Sequence, residues 1–338
     1  MSALAASTIQ PTHFRYDRGL HWPTPDLWLD PELRKPLAFV SHGHSDHCRP
    51  HRLAVATPAT AVFYRQRTRR RDVIELPFGQ PRQFGDYELE LFPAGHILGS
   101  AQAQVRDPDG QTVVYTGDFR LKTGPAVEPC EVRRCDVLVM ECTYGQPHYQ
   151  FPAIEAVGDE LRDHVSRCLE SGQTPLVLAY ALGKGQEALA LLTGAGFEVL
   201  VQKQIYEMAQ RYEHLGVSLG DYALLTPSTA RDVQDKVILT PPHQRRSDPL
   251  IRGLTRVQSF FLSGWAADPS SRYRFGADCL LALSDHADYT DLLSYVEQAQ
   301  PHVVYTVHGD GAFSSTLRSQ GIPAFHLPDD HFQPGLFD

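Results

Sequence analysis

Short apolar runs separated by polar residues dominate the first 150 residues of the chain. Runs of this length, rich in Val, Leu, Phe and Tyr, predict buried β-strands. The same pattern returns in the last part of the chain. Strands are predicted at residues 37–40, 87–92, 112–116, 136–140, 280–283 and 302–307.

The spacing of apolar residues changes after residue 150. Across residues 153–170 they recur every three or four positions, which predicts an amphipathic helix. A strand, a helix and a second strand are then predicted at residues 175–180, 185–192 and 197–201. Strands that alternate with helices in this way indicate a parallel sheet.

These two patterns divide the chain into domains. We expect one α/β domain made of residues 1–150 and 276–338, the latter including a C-terminal tail. A smaller α/β insert of residues 151–275 interrupts it. Within these parts, residues 289–299 are predicted to form a helix, and the Pro- and Arg-rich residues 240–248 to form a loop.

The composition is that of a globular protein. Of 338 residues, 42% are apolar and 21% are charged. No apolar run approaches the length of a bilayer span, and the N-terminus lacks the basic and long apolar regions of a signal peptide. The six cysteines include no C-x-x-C pair, which argues against a zinc finger or a disulfide framework. We therefore expect a cytoplasmic protein with no membrane partner.

The net charge of −9 by itself disfavours a nucleic-acid-binding protein, since contacts to phosphate rest on Lys and Arg. The positive charges are concentrated, however, in two groups. The first contains Arg65, Arg67, Arg69, Arg70 and Arg71, and the second contains Arg245, Arg246, Arg252 and Arg256. Each group is interpreted either as a solvated face or as a surface for phosphate.

Residues 41–47 read Ser-His-Gly-His-Ser-Asp-His and directly follow a predicted buried strand. Imidazole nitrogens and carboxylate oxygens are ligands that zinc accepts. No ordinary turn needs four such groups so close together. His42, His44, Asp46 and His47 therefore predict a divalent metal site.

Metal-binding side chains also follow the other predicted strands. They are His96, Asp118, Glu141, Asp285, His286, Asp288, His308 and Asp310. Because strand ends of one sheet lie side by side, we expect these groups to converge on one edge of a single sheet.

The number of ligands suits two metal ions. One set is His42, His44 and His96, and the other is Asp46, His47 and His308. Asp118 could bridge the two ions, since a carboxylate has two oxygens. Two ions that share a hydroxide and clamp an oxyanion suit the cleavage of a phosphoester.

These motifs resemble those of the metallo-β-lactamase fold, whose H-x-H-x-D-H signature is matched by residues 42–47. The order of the remaining motifs is similar to that of the β-CASP nucleases. The matching residues are Asp30, His96, Asp118, Glu141, His286 in Ser-x-His-x-Asp, His308, and residues 180–187 in the insert. The resemblance runs from about residue 30 to about residue 310.

The resemblance implies an α/β fold, an αββα sandwich with an inserted β-CASP cap domain. It also implies a nuclease that binds two divalent metal ions, zinc in the first place, with manganese as an alternative. The compact size is similar to bacterial DNA-ligase-associated exonucleases, which are also labelled as mRNA 3′-end processing factors. The compact architecture favours DNA, whereas His308 favours RNA, because eukaryotic DNA-repair members usually lack this histidine.

A DNA exonuclease in DNA repair is therefore the leading hypothesis. The alternatives are an RNA endo- or exonuclease in RNA 3′-end processing, a metal-free nucleic-acid-binding scaffold, and a hydrolase of small metabolites. The oligomeric state is left open.

The resemblance also implies roles for individual residues. His286 would donate a proton to the leaving oxygen, beside the catalytic metal ligands Asp46 and Asp118. Asp30 and Glu141 would orient ligand histidines. Asp288 either orients His286 or caps the following helix. Lys184, Gly183, Gly185 and Ser284 are predicted to contact nucleic acid. The two glycines either form a plain turn from strand to helix or, in that turn, also offer N–H groups to a phosphate.

The C-terminal tail ends in Phe-Gln-Pro-Gly-Leu-Phe-Asp. Gln333, Leu336 and Phe337 resemble the short peptides with which bacterial repair enzymes bind the sliding clamp. The alternative is a tail that packs on its own domain. A sliding clamp or a DNA ligase is thus a candidate partner, next to the nucleic acid itself.

Overall fold

The first six strands form one sheet in the computed structural model, which describes residues 15–23, 26–268 and 270–327. In chain order, β1 to β6 are Arg15–Tyr16, Leu20–Trp22, Leu27–Leu29, Leu37–Phe39, Leu53–Ala56 and Val73–Glu75. The first three strands pair antiparallel, and β3 to β6 pair parallel. The predicted clamp-binding residues Gln333, Leu336 and Phe337 lie outside the described residues.

A second sheet takes strands from both ends of the chain. Its strands are β7 to β11, Arg82–Phe84, Tyr87–Pro93, Ala101–Arg106, Thr112–Tyr115 and Val137–Glu141, with β18 and β19, Val303–Val307 and Ala324–His326. Their order is β19-β18-β11-β10-β9-β8-β7. From β10 to β19 the pairs are parallel, and from β7 to β10 they are antiparallel.

The middle of the chain forms a third sheet in which every pair is parallel. Its strands β12 to β17 are Thr174–Leu178, Glu198–Val201, Tyr222–Leu224, Lys236–Thr240, Val257–Leu262 and Cys279–Leu281. Their order is β14-β13-β15-β12-β16-β17. The parallel sheet predicted for the insert is therefore confirmed.

The helices occupy the faces of the three sheets. Over the described ranges, α1 to α9 are Pro58–Thr68, Ile154–Glu170, Lys184–Gly194, Lys203–His214, Gln244–Ser247, Pro249–Arg252, Ser271–Phe275, Tyr289–Ala299 and Ala312–Ser319. Short 3₁₀ turns cover Thr229–Arg231 and Gly264–Ala267. None of these helices combines the length and apolar character that crossing a bilayer requires.

The first two sheets pack face to face, as their alternating side chains require. Val137 and Val139 of β11 point into the core between the sheets, together with Phe39 of β4. Leu138 of β11 points to the opposite face, which α8 and α9 cover. On the far side of the first sheet, Tyr64 of α1 packs on β5. This arrangement is the predicted αββα sandwich.

The third sheet has helices on both faces and is joined to the sandwich by a shared apolar core. Val177 and Leu239 face α2, α3 and α4, whereas Leu176 faces the short helix α6. Phe63 of α1 and Ile97 from the sandwich lie in the same cluster as Val177. The sandwich and the insert therefore bury apolar surface against each other.

Two predictions from the sequence are wrong. Cys279–Leu281 joins the third sheet beside β16, so the metal-binding groups follow strands of three sheets rather than one. The period of apolar residues predicts a strand but does not indicate its neighbour. The predicted loop at residues 240–248 contains the helical turn Gln244–Ser247.

Candidate metal centre

The ligand loop, residues 41–47, begins where β4 ends, beside the end of the parallel strand β3. Asp30 follows β3 in left-handed backbone, with a φ of 42°, and its N–H donates to the carbonyl of Phe39 at 3.0 Å. Its carboxylate accepts hydrogen bonds from the Ser41 N–H at 2.8 Å and the Tyr115 hydroxyl at 3.0 Å. Asp30 thereby ties the start of the loop to both sheets of the sandwich.

Three histidines and one aspartate form the first ligand cluster: His42, His44, His96 and Asp118. His44 Nδ1 lies 3.1 Å from His42 Nε2 and 3.0 Å from His96 Nε2. Asp118 Oδ2 lies 3.5 Å from His42 Nε2 and 3.9 Å from His96 Nε2. A tetrahedral zinc ion with bonds of about 2.1 Å needs ligand atoms roughly 3.4 Å apart. The four residues have the spacing that one such ion requires.

The other ring nitrogen of each histidine is held from outside the cluster. His42 Nδ1 contacts the hydroxyl of the preceding serine at 2.9 Å. His44 Nε2 lies 3.2 Å from the carbonyl oxygen of Leu182, which belongs to the insert. His96 Nδ1 lies 2.8 Å from the carbonyl oxygen of Asp285. A carbonyl oxygen accepts a hydrogen bond from the N–H of the outer nitrogen, so the inner nitrogen of His44 and of His96 keeps its lone pair for a metal.

Burial keeps these three imidazoles neutral. It lowers the pKa of His96 to about 3, with repulsion from His286 adding to the effect. It also holds the pKa of His42 well below its usual range and lowers the pKa of His44. Neutral imidazole is the form that binds a metal ion, so the first cluster needs no deprotonation at neutral pH.

The second ligand cluster consists of His47, Asp118 and His308, whose ligand atoms all lie within 4.8 Å of one another. His47 Nε2 is 3.5 Å from Asp118 Oδ2 and 3.6 Å from Asp46 Oδ2. His47 Nδ1 lies 3.0 Å from Asp30 Oδ2, which orients the ring. His308 has a φ of 59°, which lies in the left-handed region of the backbone that residues other than glycine rarely adopt. Asp118 is common to both clusters.

Carboxylates surround the second cluster. Burial alone would lower the pKa of His47, but Asp46, Asp30 and Asp118 together outweigh it and raise that pKa well above its usual range. The surroundings therefore favour a positive charge here, either a proton or a bound cation. Both clusters offer imidazole nitrogen and carboxylate oxygen, so their donor sets fit zinc and related divalent ions.

His286 lies beside the clusters and is oriented by Glu141. His286 Nδ1 is 2.8 Å from Glu141 Oε1, which also accepts the Phe119 N–H at 3.0 Å. His286 Nε2 lies 4.0 Å from Asp118 Oδ2. Burial opposes the charged form, but Glu141 and Asp118 raise the pKa of His286 to about 9. Glu141 was expected to orient a ligand histidine; the histidine that it contacts is His286, which also lies in two further groups of potential metal-binding side chains.

Asp288 caps a helix rather than orienting His286. Its Oδ1 accepts the Asp291 N–H at 2.8 Å, at the start of α8. Its Oδ2 accepts the Phe151 N–H at 2.9 Å and pairs with Lys122 Nζ at 2.5 Å. Among the hydrogen bonds of the described residues, none joins Asp288 to His286. The capping alternative is the one that the structure supports.

The turn at residues 183–185 connects the insert to the Ser-x-His-x-Asp segment. Lys184 is buried, and its ammonium group forms an ion pair with the carboxylate of Asp285. Gly183 adopts a φ of 85° and approaches Ile97 so closely that a Cβ would lie 2.3 Å from its Cγ2. This turn therefore needs glycine for close packing between insert and sandwich.

The N–H groups predicted to face a phosphate are used inside the chain. The Gly183 N–H donates to Gln186 Oε1, and the Gly185 N–H donates to the Tyr180 carbonyl, both at 2.8 Å. The two glycines shape the turn and do not offer these N–H groups to phosphate. Ser284 is buried, and its hydroxyl accepts the His286 N–H at 3.1 Å.

A cavity of about 160 Å³ opens over both clusters, between the sandwich and the insert. Its residues are His44, Asp46, His47, Arg67, Asp118, Thr143, Tyr144, Tyr180, Ala181, Leu182, Lys184, Ser263, Trp265, Asp285, His286 and His308. A second cavity of about 390 Å³ shares Arg67, Ala181 and Leu182 with it.

Several groups that form the site could not be predicted from the sequence. The carbonyl groups of Leu182 and Asp285 carry no side-chain signal, because every residue has a carbonyl. Trp265 and Tyr144 look like ordinary core aromatics in the sequence. Arg67, by contrast, lies in the first arginine group, and that concentration of charge was a usable signal.

Comparison with known proteins gives one family profile and several relatives. The profile is described as a Zn-dependent metallo-hydrolase RNA specificity domain and matches residues 280–326, which contain His286 and His308. A probable DNA ligase of Opitutus terrae is 35% identical over 324 residues, which are 95% of this chain and 32% of that protein. The chain therefore spans about a third of the length of this relative.

Two further relatives are named as ribonucleases. The RNase aCSPSF2 of Saccharolobus solfataricus is 33% identical over 125 residues, or 36% of this chain and 25% of that protein. The probable RNase MJ4 of Methanocaldococcus jannaschii is 25% identical over 293 residues, or 74% of this chain and 68% of that protein. The relatives thus include both a DNA-ligase name and ribonuclease names.

Proposed function

Since the chain belongs to the metallo-β-lactamase fold and, within it, to the β-CASP nuclease family, we propose that it is a two-metal nuclease, and specifically a DNA exonuclease acting in DNA repair. One observation carries the proposal. Two ligand clusters share Asp118, and His286 lies 4.0 Å from the same carboxylate oxygen. A phosphate placed above Asp118 would contact both clusters and the imidazole of His286.

The ligand side chains and His286 would have separate roles in the reaction. His42, His44 and His96 would hold one ion, His47 and His308 the other, with Asp118 between them and Asp46 at the open side. When bound, the ions would supply an activated hydroxide and neutralise charge on the phosphate. Glu141 accepts the Nδ1–H of His286 and favours the positively charged ring, so His286 would carry a second proton at Nε2, facing the leaving oxygen.

The position of the cavity supports attack on a strand end. Residues of the insert, Tyr180 to Lys184, form one side of the cavity, and the ligand loop forms the other. A phosphodiester would reach both clusters through this cleft, and the end of a single strand would enter it with the least rearrangement. Arg67 lies where the two cavities join and could contact the phosphates of the following nucleotides.

DNA is the favoured substrate because a relative matched over 95% of this chain is named a probable DNA ligase. RNA is the second candidate, since the profile over residues 280–326 is described as an RNA specificity domain and two relatives are named RNases. A metal-free scaffold is less favoured, because each cluster has its full set of ligand side chains.

The deciding experiment is cleavage of end-labelled oligonucleotides. Single- and double-stranded DNA and RNA of one sequence are incubated with the protein and with zinc or manganese added in turn. We expect stepwise shortening of DNA from one end. Faster cleavage of RNA would replace the proposal with its second candidate, and no cleavage of any substrate with either metal would reject the nuclease activity.

We also propose that the chain works beside a DNA ligase or a sliding clamp. The support is the DNA-ligase name of one relative and the tail residues Gln333, Leu336 and Phe337. Pull-down with each partner would compare the full chain with a chain that lacks the last six residues. Equal clamp binding by the two chains would show that the tail does not bind the clamp.

A further inference from the structure

Four aromatic side chains, Tyr144, Tyr149, Phe151 and Trp265, lie together; we call them the aromatic cluster, and two of them, Tyr144 and Trp265, line the cavity. The Tyr144 ring is 4.9 Å from Tyr149, 5.0 Å from Phe151 and 4.9 Å from Trp265, measured between ring centroids. Tyr144 and Tyr149 are buried, whereas Trp265 is half-buried and lines the cavity. Phe151 is also half-buried, but among the partly exposed members only Trp265 lines the cavity.

The cluster adjoins the residues of the metal centre. The Tyr144 ring lies 6.0 Å from the ring of His286, at an angle of 75°. Tyr144 follows closely on Glu141, the residue that holds His286. Tyr144 thus lies between Trp265 and His286, so a group in contact with Trp265 would be close to the proposed position of the scissile phosphate.

The backbone around Trp265 is fixed against the same segment. Trp265 lies in the 3₁₀ turn after β16, and its N–H donates to the hydroxyl of Ser263 at 3.3 Å. A Cβ on Gly264 would lie 2.6 Å from the Tyr144 hydroxyl and 2.9 Å from Ser284 Oγ. Only glycine lets the turn approach so closely, so the position of Trp265 is coupled to the Ser-x-His-x-Asp segment.

The ring contacts of Trp265 are not parallel stacks. Tyr144 meets it at 56° and Tyr149 at 85°. Among the described side chains, no ring lies flat on the indole. The metal-binding and charged residues of the cavity can account for a phosphate, whereas the flat face of a half-buried indole serves a different kind of contact. It offers the flat apolar surface on which a nucleobase stacks.

We propose that Trp265 is a stacking platform for the base of the nucleotide next to the cleaved phosphate. This inference rests on the proposed nuclease function and extends it to the form of the substrate. A base that stacks on Trp265 must leave its own helix, so the end that enters the cavity is unpaired. Every base has a flat face, so the subsite accepts any sequence.

Steady-state cleavage of single-stranded DNA tests the platform. Trp265→Ala should raise KM about 5- to 150-fold, since stacking of one base accounts for a factor of this size. Trp265→Phe should keep most of the affinity, and kcat should change little in either variant. Phe325→Ala is the matched control, because Phe325 is an exposed aromatic on β19, outside the cavity; it should behave as the original protein.

A substrate without terminal bases tests the platform in the original protein, so the result does not depend on whether Trp265→Ala folds correctly. An oligonucleotide that lacks the base of its terminal nucleotides should bind the original protein as weakly as the intact strand binds Trp265→Ala. In that variant, removing the base should have no further effect. Equal KM for intact and base-free strands with the original protein would overturn the platform.

Fluorescence gives a readout without cleavage. The chain has three tryptophans, and Trp22 and Trp28 are buried. Oligo(dT) added in the presence of a chelator should quench the emission, and Trp265→Phe should abolish the quenching. Unchanged quenching in that variant would reject the inference while leaving the nuclease activity intact. Absence of cleavage by the original protein would instead reject the proposed function.

Discussion

The two ligand clusters share Asp118 but differ in charge. In the first, burial leaves His42, His44 and His96 neutral, and carbonyl groups hold two of the rings from outside. In the second, carboxylates surround His47, and their attraction outweighs its burial. The first cluster is thus prepared to bind an ion without losing protons, whereas the second must exchange a proton for its ion. We expect the first cluster to bind more tightly.

The largest effect is expected from Asp118→Ala, because this change removes a ligand from both clusters. Cleavage should fall to background, and both ions should be lost. Metal content by elemental analysis, measured beside cleavage, checks this outcome. Asp159→Ala, on the exposed side of α2, is the control and should change neither quantity. Full metal content in Asp118→Ala would show that the clusters do not share this residue.

His286→Ala should separate proton transfer from metal binding. Because His286 is held by Glu141 and belongs to neither cluster as proposed, both ions should stay bound while kcat falls about 10²- to 10⁴-fold. Single-turnover cleavage and metal analysis of the same preparation test this result. Loss of an ion would make His286 a ligand, an assignment that its spacing to His96 and Asp285 also permits.

A direct test of the difference between the clusters compares His96→Ala with His308→Ala. The first change should remove the tighter ion, and the second only the weaker one. Each affinity should fall more than about a hundredfold, since even groups that merely orient a ligand contribute about 10- to 100-fold. Metal titration by calorimetry would measure both steps. Loss of the same ion in both variants would contradict two separate sites.

Asp30→Asn should give the smallest effect. The carboxylate orients His47 at 3.0 Å but is not proposed to contact a metal. The affinity for the second ion should fall about 10- to 100-fold, with the first ion unaffected. Tyr115→Phe is the matched control, since it removes only one hydrogen bond to the same carboxylate. An equal loss at both sites would mean that Asp30 acts by holding the whole ligand loop.

Much of the site could be predicted from the sequence because its chemistry is local. The identities of His42, His44 and His47 and their close spacing indicate a metal site wherever the loop lies. The alternation of strands and helices after residue 150 likewise indicates a parallel sheet, since each element carries its own apolar period. These properties depend on neighbours within a few positions.

At the site, the predictions that needed correction concern the partner of a residue. Glu141 was expected to orient a ligand histidine, and the structure shows its contact with His286. For Asp288 two alternatives were open, and the structure supports the cap of α8 rather than contact with His286. The N–H groups of Gly183 and Gly185 were predicted for a phosphate but are used within the turn. In each case the residue type was informative and its partner was not.

The sequence by itself determined the ligand types, the helical and strand periods and the order of the motifs. Only the tertiary structure decided which sheet each strand joins and which atoms meet. His44 meets the Leu182 carbonyl 138 positions away, His286 meets Glu141 145 away, and His96 meets the Asp285 carbonyl 189 away. Such contacts arise when the sandwich and the insert bury a common apolar core, which brings distant backbone groups into one cleft.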